Sequence, residues 1–438
     1  MQQSTRTVRC FSAIAARVPP RVGWVTALSP RTSPEIPSAQ ALPQARLRAA
    51  AWPVALLMVF HRVLVLALNG TPTDDFTTVY SAIRRMWEGQ PVYDQAYHHV
   101  DPLFLYSPGA TAVLAPVGLF PFDTSRTLFI VCNAAAIIAG LALLTRLVGY
   151  RLTGPVWPAS IALAFATESV TNTLAFTNIN GLLFLALCGT LWALIHSHGS
   201  SGPFPRWSWA GGLILGLAIL IKPQFAPLVA LWAVKRDWRA CVSALGVPIA
   251  INAAAMASLD STAGYFDKLL PYLAQTRDFA NSSWAGARAY FDISGALYYP
   301  VWILVAALVG ATLLALLRWH DRDLTCWALT TSGVIFVGIF FLSSLGQQYY
   351  SMWLFPLMFT LLLPRSVFHA WPAWLAAALF LAPLDWTSVL APDWGRWTNV
   401  YIATVGWFLL IAASAGTVAG WFVRDRRRTS TPAPPVAA

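Results

Sequence analysis

The chain is poor in charge. Of its 438 residues, 11% are Asp, Glu, Lys or Arg, while 57% are hydrophobic. Soluble chains carry about 25% charged residues, so this one has too little polar surface to cover a soluble core. A soluble enzyme, a disordered protein and an ordinary DNA-binding domain are thereby excluded. Cysteine is equally sparse. Cys10, Cys132, Cys188, Cys241 and Cys326 are scattered, with no CxxC and no His at ligand spacing; they are expected to pack as small hydrophobes, with no disulfide framework and no zinc site. A Gly-rich phosphate loop, a dinucleotide fingerprint, GxSxG and HExxH are all missing, which argues against nucleotide chemistry on this chain. No cofactor is expected and no metal ligand set stands out; the acids leave the use of a divalent ion open. The two halves share no repeat, which disfavours an inverted-repeat transporter.

The chain does have long apolar runs. They predict an all-α polytopic membrane protein with about 11–13 transmembrane helices, best counted as about 12. The first span covers 51–69, interrupted by His61 and Arg62. Further runs fall at 104–121, 125–147, 155–169, 180–196, 209–221, 224–235, 239–258, 296–317, 324–344, 350–363, 370–384 and 399–422. The short pair 209–221 and 224–235 reads as one helix kinked at Lys222-Pro223. That count puts Lys222 inside a span and the polar break 171–181 on the cytoplasmic side. Residues 1–50 carry seven Arg against the single acid Glu35 and no apolar core segment, so a disordered basic cytoplasmic tail is expected there rather than a signal peptide. A catalytic membrane domain over 51–423 and a second basic tail over 424–438 complete the organisation. Formal net charge is +11, and the basic segments, including 235–239 and 318–322, obey the positive-inside rule if both termini are cytoplasmic. The loops 70–103, 259–295, 343–349 and 385–398 then face outward. Trp is abundant at 21 residues, many at span ends, as headgroup anchors.

The densest run of ionisable groups between spans is 70–103. Within it, 76–89 has helical apolar spacing and reads as an amphipathic helix lying on the interface. Asp74 and Asp75 are adjacent acids at a helix end beside an apolar wall, which suits a general base that deprotonates a hydroxyl. They also suit a helix N-cap. His98 and His99 could face a phosphate. Tyr106 opens the next apolar run. Lys222 lies between two apolar runs, where it must snorkel or pair with an anion. The polar loop Arg277–Ser283 offers Asn281 and Ser282, Arg288 follows it, and Gln348, Tyr349 and Tyr350 sit in a short outer loop. Each is suited to hydrogen-bond a sugar or phosphate, and each is equally suited to cap a loop.

Taken in order, these pieces resemble a known family. They are D-F-x-x-V-Y from Asp75 to Tyr80, G-x-P-V-Y-D from Gly89 to Asp94, and Y-x-P-G from Tyr106 to Gly109. T-N-I-N-G from Thr177 to Gly181, Lys222-Pro223, N-S-S from Asn281 to Ser283 and Q-x-Y-Y-S from Gln347 to Ser351 follow. The set resembles the GT-C superfamily of polyprenyl-phosphate-sugar glycosyltransferases, in the glycosyltransferase family 87 branch, over about residues 51–423. Ser107 departs from it, standing where members often have Pro. The resemblance implies a GT-C fold in the plasma membrane with an extracytoplasmic active site. It implies transfer of D-arabinofuranose, with inversion, from decaprenyl-phosphoryl arabinofuranose to a 3-hydroxyl of an arabinan. The product would be the α(1→3) branch of arabinogalactan and lipoarabinomannan. It further implies Asp75 as the base, with Asp74 second. A polyprenyl-phosphate-mannose-dependent mannosyltransferase and a lipid-linked sugar transporter stand as alternatives.

Overall fold

A computed structural model describes residues 41–71, 74–97, 103–198, 205–277 and 280–430. Among the described residues all regular structure is helical, and seven helices are long and apolar enough to cross a membrane. The protein is therefore a multi-pass, all-α membrane protein. Its helices run between two ends, one collecting the Asp75 region and the other the basic loops.

Helix α1 (Ala41–Phe60) continues through a π-helical stretch, His61–Leu68. It begins inside the segment expected to be disordered, because the chain from Ala41 onward joins the apolar run without a break; residues 1–40 lie outside the described residues. Helix α2 (Asp74–Trp87) is the helix anticipated over 76–89, and Phe76, Ala82 and Ile83 on it are buried. The apolar run 104–121 is not a span. It forms a short helix α3 (Pro108–Val113) and a 3₁₀ turn (Ala115–Leu119). Pro108 and Pro116 remove backbone donors and set the chain into short turns, and the Ser107 hydroxyl caps α3 by accepting from Ala110 N.

Helix α4 (Phe122–Leu147) descends from the Asp75 end, and α5 (Val156–Phe165) with α6 (Glu168–Ala175) returns to it. The 171–181 break is therefore at the Asp75 end, not on the opposite side as the span count had it. Two short helices joined at Ala166-Thr167 make one passage, so the apolar run 155–169 and the polar stretch that follows it belong to a single broken crossing. Helix α7 (Asn180–Ser197) then runs alongside α4.

Helix α8 (Pro205–Ile221) is followed by a 3₁₀ stretch (Pro223–Leu228) and α9 (Val229–Val234). The expected single kinked helix is instead an antiparallel hairpin with Lys222 at its turn. Trp232 of α9 packs against Gly211 of α8, and Ser208 near the start of α8 hydrogen-bonds Asp237 just beyond α9. The backbone reverses because Lys222 is extended (φ −133°, ψ 104°) and Pro223 follows it.

Helix α10 (Trp238–Ser258) returns to the Asp75 end, where α11 (Leu270–Leu273) and α12 (Trp284–Phe291) belong to the loops. Helices α13 (Gly295–Leu316) and α14 (Leu324–Leu342) make the next pair. The run 350–363 is broken into a 3₁₀ stretch (Gln348–Leu354) and α15 (Phe355–Phe359), before α16 (Trp371–Leu381) and α17 (Pro392–Ser430). The last helix thus extends into the predicted C-terminal tail.

Helix α14 is the centre of the bundle, with 83% of its apolar window buried against 22% for α13. At about 1.5 Å per residue its 19 residues separate the two ends by roughly 28 Å. At the basic end Lys235 pairs with Asp321 at 2.6 Å and Arg365 with Asp425 at 3.3 Å. The Lys235 ammonium holds the exposed Asp321 carboxyl below its usual range.

Close packing of α7 on α4 depends on Gly181. A methyl there would lie 2.7 Å from the Asn133 carbonyl oxygen. Gly181→Ala is expected to destabilise the protein by about 1–3 kcal/mol, read as a lower thermal unfolding temperature in detergent; an unchanged temperature would show that the two helices can part without cost.

Candidate active site

Asp75 is the second residue of α2, and the packing of that helix fixes it. Phe76 is buried between Phe122 and Phe129, with ring centroids 5.4 and 5.5 Å away. The Tyr80 hydroxyl donates to Phe120 O at 2.9 Å. The chain entering α2 is held by Arg126, whose Nη2 donates to Ala67 O at 2.8 Å and Gly70 O at 3.3 Å. On the far side, Asn178 Nδ2 donates to Asp75 Oδ2 at 3.2 Å.

Asn178 reaches Asp75 because the chain turns sharply between α6 and α7. Thr177 has φ +54°, a left-handed conformation that a β-branched residue rarely adopts and that costs about 1–3 kcal/mol. The same turn aims Asn180 at Lys222, whose ammonium donates to Asn180 Oδ1 at 2.9 Å. The Lys222 Nζ also lies over the rings of Tyr350, Trp353 and Tyr349 at 4.2, 5.3 and 5.9 Å. Among the described residues no carboxylate lies within ion-pair distance of it.

These groups open onto one cavity of about 590 Å³. Asp75, Asn178, Lys222, Tyr106, Tyr349 and Tyr350 line it together with Arg277, Gln224, Gln347, Tyr265 and Tyr272. Leu103, Leu105, Leu220, Ile221 and Leu345 form apolar wall. Asn178 Oδ1 and Gln224 Oε1 are buried there without a hydrogen-bond partner among the described residues, which marks them for a ligand or water. Among the described residues the cavity thus offers one carboxylate, two cations, several amides and phenols, and apolar surface. That set fits a molecule with an anionic group, a polyhydroxylated part and a hydrocarbon part.

The outer wall is an aromatic platform. Tyr93, Phe104 and Tyr272 are buried, with Tyr97 and Tyr265 packed against them. The Tyr93 hydroxyl donates to Tyr106 O at 2.9 Å and so holds the strand-like entry of α3 over the cavity. Burial raises the Tyr93 phenol and pushes the Tyr97 phenol up to about 12, so both stay protonated donors.

Of the sequence candidates, Asp75, Tyr106, Lys222, Tyr349 and Tyr350 meet in this cavity. Asp74 is the first residue of α2, with its side chain outside the described residues, as are His98 and His99. Four candidates do not line the cavity. Asn281 is fully buried: its Nδ2 donates to Arg277 O (2.6 Å) and Ser344 O (2.8 Å), and its Oδ1 accepts from Ser283 N (3.1 Å) and Gly346 N (2.9 Å). Ser282 Oγ donates to Val400 O at 2.6 Å. Arg288 stacks over Tyr298, 4.6 Å from its centroid. Gln348 Nε2 points to Phe380 O at 3.4 Å. Both polar loops reach the cavity, through Arg277 and Gln347 rather than through Asn281, Ser282 and Gln348. In sequence the two kinds look alike, since an amide that ties two loops and an amide that meets a ligand carry the same signal. Arg277, as the cation opening the polar loop, was the available clue.

The sequence profile of Glycosyltransferase family 87 matches residues 104–344. An alpha-(1->3)-arabinofuranosyltransferase from Corynebacterium glutamicum is 48% identical over 411 residues, covering 92% of this chain and 96% of that protein. The chain belongs to glycosyltransferase family 87. Two further relatives carry the same name. The one from Mycobacterium tuberculosis strain H37Rv is 41% identical over 83% of each chain, and the one from Mycolicibacterium smegmatis is 38% identical over 88% of this chain and 87% of its own. The family 87 match takes in Tyr106, Asn178, Lys222, Arg277 and Ser344, while Asp75 and the Gln347–Tyr350 turn lie outside it. This family 87 protein is thus a membrane glycosyltransferase whose polar cavity is built from the matched region together with segments on both sides of it.

Loop anchoring and ligand contact separate experimentally. Asn281→Ala removes four buried hydrogen bonds and should destabilise the protein by about 3 kcal/mol, lowering the unfolding temperature. Arg288→Ala should leave both the unfolding temperature and the donor KM near wild type. A large rise in donor KM for Arg288→Ala would bring that residue back into the site.

Proposed function

We propose that this enzyme transfers D-arabinofuranose from decaprenyl-phosphoryl arabinofuranose to a 3-hydroxyl of an α-arabinan acceptor, with inversion. The names of its relatives support the sugar and the linkage, and the cavity supports the mechanism. The observation that carries the reading is the convergence of one carboxylate, Asp75, with two cations, Lys222 and Arg277, on a single cavity with apolar wall.

In this scheme the acceptor oxygen attacks the anomeric carbon while its proton passes to Asp75. The bond from that carbon to the phosphate oxygen breaks, and decaprenyl phosphate leaves with the electron pair. A lipid phosphate is already a good leaving group, so the protein needs alignment, one base and charge stabilisation. Lys222 and Arg277 supply the last. Asn178 orients the Asp75 carboxylate toward the acceptor. The prenyl chain would follow the leucine-rich wall. The basic loops at the far end of α14 support a cytoplasmic placement for that end by the positive-inside rule, which puts the cavity on the outer face, where cell-wall arabinan is built.

The test is transfer by purified protein from decaprenyl-phosphoryl arabinofuranose to a short α-arabinan, with linkage analysis. Wild type should form a 3-linked branch. Asp75→Asn should lower kcat by about 10²–10⁴ with a near-normal unfolding temperature. Arg277→Gln and Lys222→Met should each cut kcat/KM about 10–100-fold, the scale of a charged hydrogen bond to phosphate. Transfer that survives Asp75→Asn would place the base elsewhere. Activity with a polyprenyl-phosphoryl mannose and none with arabinose would assign the mannose donor instead.

A further inference from the structure

A second cavity, of about 620 Å³, lies at the basic end of the bundle. The segment Pro364–Ala370 forms one wall and the last turns of α17 the other. Two guanidinium groups, Arg365 and Arg424, and the His369 imidazole line it. The lone carboxylate among its lining residues is Asp425, 3.3 Å from Arg365. Arg424 folds back along its own helix, with Nε donating to Gly420 O at 3.3 Å.

From Arg424 the cavity continues toward the middle of the bundle along Gly420, Thr417 and Gly416. A Cβ on Gly416 would meet nothing within 4 Å, and one on Gly420 would meet only the Arg424 guanidinium at 4.0 Å. The groove is therefore open space alongside a bare stretch of helix. It has a cationic mouth at the helix end and a wall of low polarity leading inward.

We propose that this cavity binds an anionic phospholipid of the surrounding membrane, with its phosphodiester at Arg365 and Arg424 and an acyl chain along the Gly416–Gly420 groove. Two guanidinium groups against one carboxylate leave the mouth cationic, and guanidinium geometry matches phosphate oxygens. Trp371 and Trp374, 74% and 47% exposed, stand at the start of the adjoining α16. Exposed Trp at a span end marks headgroup depth, so the arginines lie where a lipid phosphate would. A soluble anion would use the arginines and leave the groove unused. A second copy packed on the Gly416–Gly420 face by twofold symmetry would bring Arg424 toward its own like charge.

The experiment uses the full chain in detergent and in nanodiscs, with native mass spectrometry and thermal unfolding as readouts. The probes are phosphatidylglycerol, phosphatidylcholine and inorganic phosphate. Phosphatidylglycerol should stay bound through detergent exchange and raise the unfolding temperature, while the other two should do neither. Arg424→Gln should weaken its retention at least about tenfold, a change well within the loss of one charged contact. Gly416→Leu should do the same by filling the groove, and since a Cβ there meets no described atom within 4 Å its fold and unfolding temperature without lipid should match wild type. Equal retention of phosphatidylglycerol by wild type and both variants would overturn the proposal. So would equal stabilisation by inorganic phosphate, or a lipid-independent dimer that Gly416→Leu dissociates.

Discussion

A lysine at the turn of an apolar hairpin needs compensation, and the candidate active site is organised around supplying it. Lys222 Nζ receives one amide oxygen, from Asn180 at 2.9 Å, and the ring face of Tyr350 at 4.2 Å. Neither neutralises the charge; both stabilise it and leave it available to an anion. The requirement propagates outward. For Asn180 to face Lys222, α7 must begin at the same depth as the hairpin turn. That start requires the chain to double back after α6, and the doubling back is taken at Thr177 in the left-handed region. The residue between, Asn178, is thereby delivered to Asp75. The four-residue turn between α6 and α7 sets the spacing between the cation and the acid, so neither can move without the other.

The loops at the Asp75 end hold that spacing rigid. Asn281 satisfies all four of its hydrogen-bonding positions with backbone from two loops, one bearing Arg277 and one bearing Ser344. Tyr93 does the same for the segment that carries Tyr106. The proposed transfer would gain mainly from alignment, and donors fixed in advance cost no reorganisation as charge develops. The buried polar side chains next to the cavity are thus not idle. They are the frame that makes a set of long loops behave as a preorganised site.

The sequence made the class of the protein plain, because low charge and long apolar runs depend only on composition. It also made Asp75 and Lys222 stand out, since each is an ionisable group beside apolar residues. What it hid was topology. Two short apolar runs around Lys222-Pro223 read as a kinked helix, and the contacts of Trp232 with Gly211 and of Ser208 with Asp237 show the hairpin. The run 104–121 is apolar enough to span, yet its prolines and the Ser107 cap fold it into short turns at one end. Asn281 and Gln348 look as suited to a ligand as Arg277 and Gln347 for the same reason. Hydrogen-bonding capacity is legible in a sequence, whereas its direction depends on which loops the helices bring together.

Buried charges within the bundle complete the argument for an enzyme over a transporter. A transporter needs ionisable groups that face a shared path through several spans. Arg126 and Arg62 are cations within helices, but both are turned on backbone. Arg126 Nη2 donates to Ala67 O near the end of the first helix, and Arg62 Nε donates to Phe165 O at the end of α5, 3.1 Å away. Each caps carbonyls that a helix terminus leaves unpaired, at the end where the helix dipole favours a positive group. Their charge is accounted for by the breaks that shape the fold. The central helix α14, from Leu324 to Leu342, carries no charged side chain and is the most enclosed of the apolar helices. The two cavities that gather charged side chains therefore lie at opposite ends of α14.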